Sequence, residues 1–283
     1  MKTLIQNFLI FTILAGGLAS CTDEKQDSDN KGEVNVKLTD ATFPFSFVSE
    51  ANMEIRKIEF RNSEGEYVTV FESEGNTGNR YNLLDYTNGN TATVNRSSLP
   101  VGTYTHSRVT FNEASVVMNG SITGSGENSI FNYNNNALGT YEVVCDPYLE
   151  VEDSGVSDVL IDIDVNSTFR FQSSFFGLNW FHQITNISGC ACEPTFRVCD
   201  LNRTGKISGN VTYNGVNADN AFITVTLDEN QIATHSEANG TYAFIGIKPG
   251  SYVVKVELED GTVSEKTVTV NGTDNSNCDF VLN

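Results

Sequence analysis

The chain has 283 residues, and its 36 Asp and Glu residues against 17 Lys and Arg residues give a formal net charge of −19. This balance argues against nucleic-acid binding, because phosphate contacts require clustered Lys and Arg, and against peripheral docking on anionic lipid. Beyond the first twenty residues, no apolar stretch is long enough to cross a bilayer as a helix.

The N-terminus has the pattern of an export signal. Lys2 precedes the apolar run Phe8–Leu18, which is too short for a permanent membrane span. The sequence Leu-Ala-Ser-Cys at positions 18–21 then resembles the lipobox of bacterial lipoproteins. The resemblance implies that residues 1–20 are a signal peptide and that Cys21 is lipidated, which makes the lipid bilayer a partner. A plain secretory signal with a chance cysteine is the alternative.

Residues 21–32 are predicted to be the acylated cysteine and a disordered tether. No apolar residue occurs between Thr22 and Gly32, so this segment cannot bury enough surface to offset the entropy of ordering. Its acidic run resembles the surface-export signal of Bacteroidetes lipoproteins, although a solvated spacer explains it equally well. The expected location is the outer membrane, on the cell surface, with the periplasmic face as the alternative.

From Glu33 onward, apolar and polar residues alternate with a period of two, which predicts short strands and no long helix. A one-residue slip of the alternation at Arg56–Lys57 predicts a β-bulge. Turn sequences such as Asn88-Gly89 separate the strands. We therefore predict an all-β protein with two antiparallel β-sandwich domains in tandem after the signal peptide and tether.

The predicted first domain, 33–188, contains four short motifs: Val36-Lys37-Leu38-Thr39-Asp40-Ala41, Tyr81-Asn82-Leu83-Leu84-Asp85, Leu99-Pro100-Val101-Gly102-Thr103-Tyr104 and Ile161-Asp162-Ile163-Asp164. These motifs resemble those of the DUF4382 family, a domain of unknown function common in bacterial lipoproteins. The resemblance covers about Glu33–Phe171. Two departures are Thr42, where the family usually has Pro, and Ile163, where it usually has an aromatic residue.

Residues 189–205 are predicted to be a Cys-rich linker. A zinc site would need paired C-x-x-C knuckles and a fourth ligand, and neither is present. We expect a local disulfide from Cys199 to either Cys190 or Cys192, and the sequence does not choose between them. Two further cysteines share parity with apolar neighbours and are expected to be buried thiols: Cys145 and Cys278.

The second domain, 206–283, contains Gly240-Thr-Tyr242-Ala-Phe244 followed by Pro249-Gly250-Ser-Tyr252. These motifs resemble those of the carboxypeptidase regulatory-like (transthyretin-like) domain. The resemblance implies a small Greek-key β-sandwich. The glycines permit turn dihedrals with positive φ, and the aromatic residues fill the core between the sheets.

An aromatic cluster near the end of the first domain is the candidate ligand platform. Phe176, Trp180 and Phe181 crowd together there. One interpretation is a buried lid that closes the first domain. The other is an exposed platform that stacks on sugars or other flat ligands.

Residues with catalytic or metal-binding potential are sparse. The motifs of metalloproteases, serine hydrolases and phosphate-binding loops are absent from the sequence, and the three histidines are isolated. Asp162 and Asp164 share the polar face of one predicted strand, which we expect to be solvated. A calcium site there, with Asp40 from the first strand, is a weaker hypothesis. We predict no cofactor and no other metal.

These observations favour a membrane-anchored, non-enzymatic binding or structural module. Carbohydrate is the most natural ligand for such a module, and envelope proteins are other expected partners. One alternative is a subunit of a surface fibre or secretion assembly that adds edge strands to a partner's sheet. A cell-envelope hydrolase with facing carboxylates is less favoured.

Overall fold

The computed structural model describes residues 30–41, 48–75, 78–119, 128–133, 139–173, 187–227 and 230–283. The predicted lipidation site Cys21 and the predicted aromatic platform Phe176, Trp180 and Phe181 lie outside the described residues. Among the described residues, no helix is both long and apolar enough to cross a membrane.

The first domain consists of a large mixed sheet, a two-stranded hairpin and one helical turn, α1, at Val165–Thr168. In chain order its strands are β1 Lys31–Ala41, β2 Val48–Asn62, β3 Tyr67–Glu72, β4 Asn79–Asn82, β5 Ala92–Pro100, β6 Gly102–Met118, β7 Ser129–Tyr133, β8 Gly139–Val151, β9 Val156–Asp164, β10 Phe169–Ser173, β11 Ile187–Cys192 and β12 Phe196–Asp200. Single 3-10 turns occur at Leu83–Tyr86 and Leu201–Arg203.

The large sheet has the strand order β3-β2-β6-β8-β12-β9-β1-β5, with β4 beside β2 and β7 beside β6. The two ends of this order meet, because the Asn95 amide on β5 donates to the Val70 carbonyl on β3 at 2.5 Å. The sheet therefore curls around one core. Alternate residues of each strand point into it, among them Leu38, Phe60 and Phe111.

The second domain is formed by two sheets. Its strands are β13 Gly205–Tyr213, β14 Val216–Asn217, β15 Phe222–Leu227, β16 Asn230–His235, β17 Thr241–Ile247, β18 Gly250–Glu257, β19 Val263–Val270, β20 Asn275–Asn277 and β21 Phe280–Leu282. One sheet has β13 at its centre, flanked by β14, β17, β20 and β21, and the other has the order β16-β15-β18-β19. The core between the sheets includes Ile207, Tyr242 and Val254.

The predicted all-β class is confirmed, and the bulge predicted at Arg56–Lys57 is present as a register shift between Ile55 and Lys57 where β2 pairs with β6. Most pairings are antiparallel. The parallel exceptions are β1 with β9, β8 with β12, and β13 with both β20 and β21.

The structure differs from the linker predicted for residues 189–205. β12 is inserted in the large sheet between β8 and β9, with Val198 opposite Cys145 and Arg197 opposite Asp162. The first domain therefore continues to Asp200. Phe196 and Val198 do alternate, but five residues with two apolar side chains are too short a pattern to distinguish a strand from a loop.

Both domains have the same kind of corner before a long strand. The Tyr104 hydroxyl donates to the Pro100 carbonyl at 2.9 Å, and the Tyr252 hydroxyl donates to the Lys248 carbonyl at 2.9 Å. Each tyrosine thus ties the strand to the backbone four residues upstream, an arrangement known from tyrosine corners of other β-sandwiches. The shared Pro, Gly and Tyr pattern of the two sequences marks these corners.

Candidate functional site: the joint and cleft between the domains

The outer face of β9 and β12 carries an ion pair between a buried carboxylate and a half-buried guanidinium. Arg197 and Asp162 are directly opposite each other on the two strands, with Arg197 Nε 2.8 Å and Nη2 2.6 Å from Asp162 Oδ2. Leu160 and Cys199, the next pair on this face, are fully buried although they belong to neither domain core. Strands of the second domain cover this face.

Arg197 also bonds to the second domain. Its Nη1 donates to the Gly246 carbonyl at 2.6 Å, and its Nη2 donates to the Ile245 carbonyl at 2.8 Å. Gly246 has φ +69°, and a Cβ at this position would be 2.8 Å from the Cys199 sulfur. The close approach of the two domains therefore depends on a glycine in β17.

Asn88, in the predicted Asn-Gly turn, makes a second set of bonds to the same strand. Its Oδ1 accepts from the Ala243 N–H at 2.5 Å, and its Nδ2 donates to the Thr241 carbonyl at 3.4 Å and to Glu237 Oε1 at 2.9 Å. Asn88 and Arg197 together satisfy alternate backbone groups along the outer edge of β17. An edge that could pair with another chain is thus closed by side chains of the first domain.

Burial dominates the electrostatics of the Asp162–Arg197 pair. Burial raises the pKa of Asp162, and Arg197 opposes that shift without cancelling it. Burial also acts to lower the pKa of Arg197, but the attraction and hydrogen bond of Asp162, together with Cys199 and Tyr252, outweigh it and raise the pKa. A pair of this kind costs several kcal/mol to desolvate, so its geometry matters more for holding the domains in one orientation than for net stability.

Beside the joint lies a cleft of about 420 Å³ between the domains. Its apolar wall includes Val144, Leu227 and Ile232. At its rim, Lys248 Nζ on the second domain is 2.6 Å from Asp146 Oδ2 on the first. The volume lies in the range of small-molecule sites, and an apolar wall with a few polar groups is typical of them.

The structure brings the three candidate calcium ligands into one region but gives each a different partner. Asp40 Oδ1 accepts from the Val165 N–H at 3.3 Å. Asp162 binds Arg197, and Asp164 caps α1 by accepting from the Ser167 N–H at 2.9 Å. In the described parts of the chain, no group of three Asp, Glu, His or Cys residues could hold a metal ion. The guanidinium of Arg197 occupies the place where a cation would bind Asp162.

The predicted disulfide is not formed in the structure, in which all five described cysteines are free thiols. Cys199 faces the joint, with its sulfur 3.8 Å from the Gly246 carbonyl. Cys190 and Cys192 instead pack against the core of the first domain, so they lie on a different side of the sheet. Cys145 and Cys278 are buried in the two cores, as predicted.

Two histidines fall within the described residues. His106 lies against the Arg61 guanidinium, 2.6 Å from its Nη2. Burial lowers the pKa of His235 to about 4, and its ring packs at 5.1 Å from that of Phe222. The third histidine, His182, lies outside the described residues.

Sequence reasoning missed Arg197 and Asn88, the two residues that form the joint. A signal for Arg197 was present, since it lies between two apolar residues that alternate around it. Asn88 was noted only as a turn residue, because nothing in its neighbourhood indicates which surface its side chain will meet.

The fold and this site define an all-β protein whose two domains are held together by side-chain bonds to a sheet edge. Residues 31–174, which is 144 of the 283 residues, match the model of the family described as "Domain of unknown function (DUF4382)". The chain belongs to this family. Residues 205–280 match the model of "BOS complex subunit NOMO1-like, second beta sandwich domain".

No curated protein matches the sequence. Among solved structures, the Bacillus anthracis TIE protein is 10% identical, with 87% of this chain and 39% of that chain covered and a TM-score of 0.24. BcpA, the major pilin subunit of Bacillus cereus, is 10% identical over 88% and 99% of the chains, with a TM-score of 0.21. GBS52, the minor pilin of Streptococcus agalactiae, is 9% identical over 87% and 94%, with a TM-score of 0.22. We draw no conclusion from similarities this low.

Proposed function

We propose that this protein is an exported lipoprotein, acylated at Cys21, that displays its two β domains from the outer membrane as a non-enzymatic binding or structural module. The lipobox-like sequence before Cys21 and the wholly polar segment 22–32 support the anchor and the tether. Two or more acyl chains on one cysteine give a durable attachment, which a single chain does not.

The observation that carries the proposal is the joint between the domains. Arg197 bonds to Asp162 in its own domain and to the Ile245 and Gly246 carbonyls of the other, so the two domains form one unit. A unit held together in this way and joined to an anchor by a polar tether presents its surfaces at a distance from the membrane. In the cleft, Asp146, Asp162 and Asp164 are each engaged by a partner, which favours binding over hydrolysis.

Metabolic labelling with radioactive palmitate tests the anchor. We expect the wild type to be labelled and to fractionate with membranes, and the Cys21→Ala variant to be neither. Ser20→Ala is the matched control, because it changes the neighbouring residue and keeps the cysteine. An unmodified thiol at residue 21 of the processed wild-type chain, detected by mass spectrometry, would overturn the proposal. Protease treatment of intact cells then separates the two faces of the membrane, since only a surface protein is released.

For the second domain we propose the carboxypeptidase regulatory-like type of β-sandwich. The Gly240-x-Tyr242-x-Phe244 motif supports this assignment, as does the corner at Pro249-Gly250 with the Tyr252 hydrogen bond.

Glycans are the ligands we propose for the module. The aromatic cluster around Trp180 supports this, as does the cleft of about 420 Å³. Polysaccharide pull-downs with two variants distinguish the sites: Trp180→Ala removes the largest aromatic side chain of the cluster, and Val144→Arg fills the cleft. We expect one of them to abolish binding while both retain the wild-type circular dichroism. Failure of the wild type to bind any polysaccharide would reject the glycan ligand and leave the display role intact.

One observation favours a fibre or secretion subunit as the second candidate. β21 pairs in parallel with the end of β13, and its Val281 side chain is 72% exposed. An exposed edge strand with an apolar side chain can add to a partner's sheet. Light scattering of the wild type and of Val281→Lys tests this. Concentration-dependent assembly that the lysine abolishes supports it, and a monomeric wild type contradicts it.

A further inference from the structure

Cys190 and Cys192 form a pair of thiols that the proposed function does not use. Both lie on β11, which pairs with β10 so that Cys192 is opposite Phe169 and Cys190 is opposite Phe171. Both cysteines are half-buried and pack against the core of the first domain. Because they are two residues apart on a strand, their side chains point to the same face.

Their spacing disfavours a disulfide. Residues two apart on a strand are separated by about 6.6 Å, since each residue rises about 3.3 Å. A disulfide needs Cβ atoms about 3.8 Å apart, so this pair could close one only by distorting the strand. An ion with two metal–sulfur bonds of about 2.3 Å each spans about 4.6 Å between sulfurs. Side chains that lean towards each other cover the remaining distance of about 2 Å without moving the backbone.

The surroundings of the two thiols are largely aromatic. The Tyr133 hydroxyl donates to the Cys190 carbonyl at 2.5 Å, and its ring lies 6.2 Å from that of Phe169. Burial raises the pKa of Cys190, and the hydrogen bond of its side chain with Tyr133 opposes the shift. Burial also raises the pKa of Cys192, to about 12. The two thiols therefore lie at the edge of an apolar, largely aromatic shell and are half-exposed to solvent.

The donor set restricts the ion. Within the described ranges, no group of three Asp, Glu, His or Cys residues could complete a site, whereas structural zinc is almost always bound by four ligands. Soft thiolate ligands select monovalent copper, zinc and iron–sulfur clusters, and the last two take four protein ligands. We propose that Cys190 and Cys192 bind one monovalent copper ion between their two sulfurs.

Binding is an exchange of protons for the metal, without oxidation or reduction. Each thiol loses its proton, so that Cu⁺ and two R–SH groups give [Cu(SR)₂]⁻ and two H⁺. Because two protons are released, the copper affinity rises by up to about 100-fold for each unit of increase in pH, as long as the pH is below the pKa values of both thiols. The site stands independently of the proposed anchor and of glycan binding.

Competition with a chromophoric Cu⁺ chelator, bathocuproine disulfonate, tests the site on the full-length protein in detergent without oxygen. We expect the wild type to withdraw one copper ion per chain, and Cys190→Ala and Cys192→Ala each to weaken binding at least 100-fold. The matched controls are Cys145→Ala and Cys278→Ala, which remove buried thiols elsewhere and should retain the wild-type affinity. A wild type that withdraws no copper, or a Cys190→Ala variant that binds like wild type, rejects the proposal.

Alkylation mapping of the wild type gives a second readout that needs no variant to fold. Bound copper should protect Cys190 and Cys192 from iodoacetamide, as mapped by peptide mass spectrometry. Protection of other cysteines alone would reject the assignment. A Cys190–Cys192 disulfide formed by diamide without loss of native circular dichroism would contradict the spacing argument and favour a redox pair instead.

Discussion

Two polar strand faces of the first domain differ in what they contact: one bonds only within its own domain, and the other also bonds to the second domain. On the outer face of β2 and β6, Glu59 accepts from Lys57 Nζ and Arg108 Nε, both at 2.9 Å, and the two cations remain about one-third exposed. On the outer face of β9 and β12, Arg197 binds Asp162 at a similar distance and is 27% exposed, but it also donates to two backbone carbonyls of the second domain. Both faces follow from the same alternation of apolar and polar residues, and only one of them becomes an interface.

The comparison shows that alternation identifies which residues share a face without identifying what covers it. In the network of Glu59 with Lys57 and Arg108, each bond adds little stability because water competes for the two partly exposed cations. Removing Arg197 would instead leave the buried Asp162 carboxylate and two carbonyls of the second domain without their donor. We therefore expect equivalent substitutions on the two faces to differ several-fold in their effect.

Arg197→Ala should have the largest effect. It leaves the Asp162 carboxylate and two β17 carbonyls without their donor, so we expect the free energy of unfolding to fall by about 3–5 kcal/mol in urea denaturation. Arg170→Ala is the control, because Arg170 is in an exposed pair with Glu193 and should change stability by less than about 1 kcal/mol. Equal effects of the two substitutions would mean that the joint is not closed in solution.

Removal of both partners should recover much of that loss. Asp162→Leu combined with Arg197→Met replaces the pair by apolar side chains of similar size, and such replacements are often neutral. We expect the double variant to regain at least half of the stability that Arg197→Ala loses, with the Ile245 and Gly246 carbonyls accounting for the remainder. A double variant as unstable as Arg197→Ala would show that the carbonyl bonds dominate.

Glu59→Gln should cost about 1 kcal/mol at pH 7, since both partners of the carboxylate remain partly solvated. Burial acts to raise the pKa of Glu59, but the hydrogen bonds from Lys57 and Arg108 outweigh it and lower the pKa below 4.5. A lowered pKa contributes stability above about pH 4.5 that is lost as the pH falls through the folded value. Urea titrations between pH 3 and 7 should therefore show the variant and the wild type converging at acid pH. The matched control is Glu72→Gln, more exposed and 3.9 Å from Lys57, which should change little.

Asn88→Gly should change stability as little as Glu59→Gln does, and its effect should be confined to one strand edge. Asn88 has φ +57°, which glycine adopts freely, so the substitution removes the side-chain bonds without straining the turn. We expect a loss of about 1 kcal/mol and faster hydrogen exchange of the Ala243 amide, which donates to Asn88. Unchanged exchange at Ala243 would mean that the edge of β17 is protected by other contacts. The Thr224 amide, on a strand in the other sheet of the same domain, serves as the internal reference.

Much of the fold could be predicted from local patterns. The bulge at Arg56–Lys57, the strands around Val34 and Tyr252, and the shared Pro-Gly-Tyr corners all follow from nearest neighbours along the chain. β12 could not be recognised in this way, because a five-residue strand gains its stability from β8 and β9, which lie far from it in sequence. The disulfide expected for Cys199 failed to form for the same reason, since its strand turns that sulfur towards the other domain.

The sequence by itself determined the all-β class, the division into two domains and the parity of each strand, because a period of two is a local property of extended backbone. Only the tertiary structure decided that Asp162, expected on a solvated face, is buried against Arg197, and that Asn88 reaches the edge of β17. The burial of a residue depends on which segments, distant in sequence, pack against it. No local pattern contains that information.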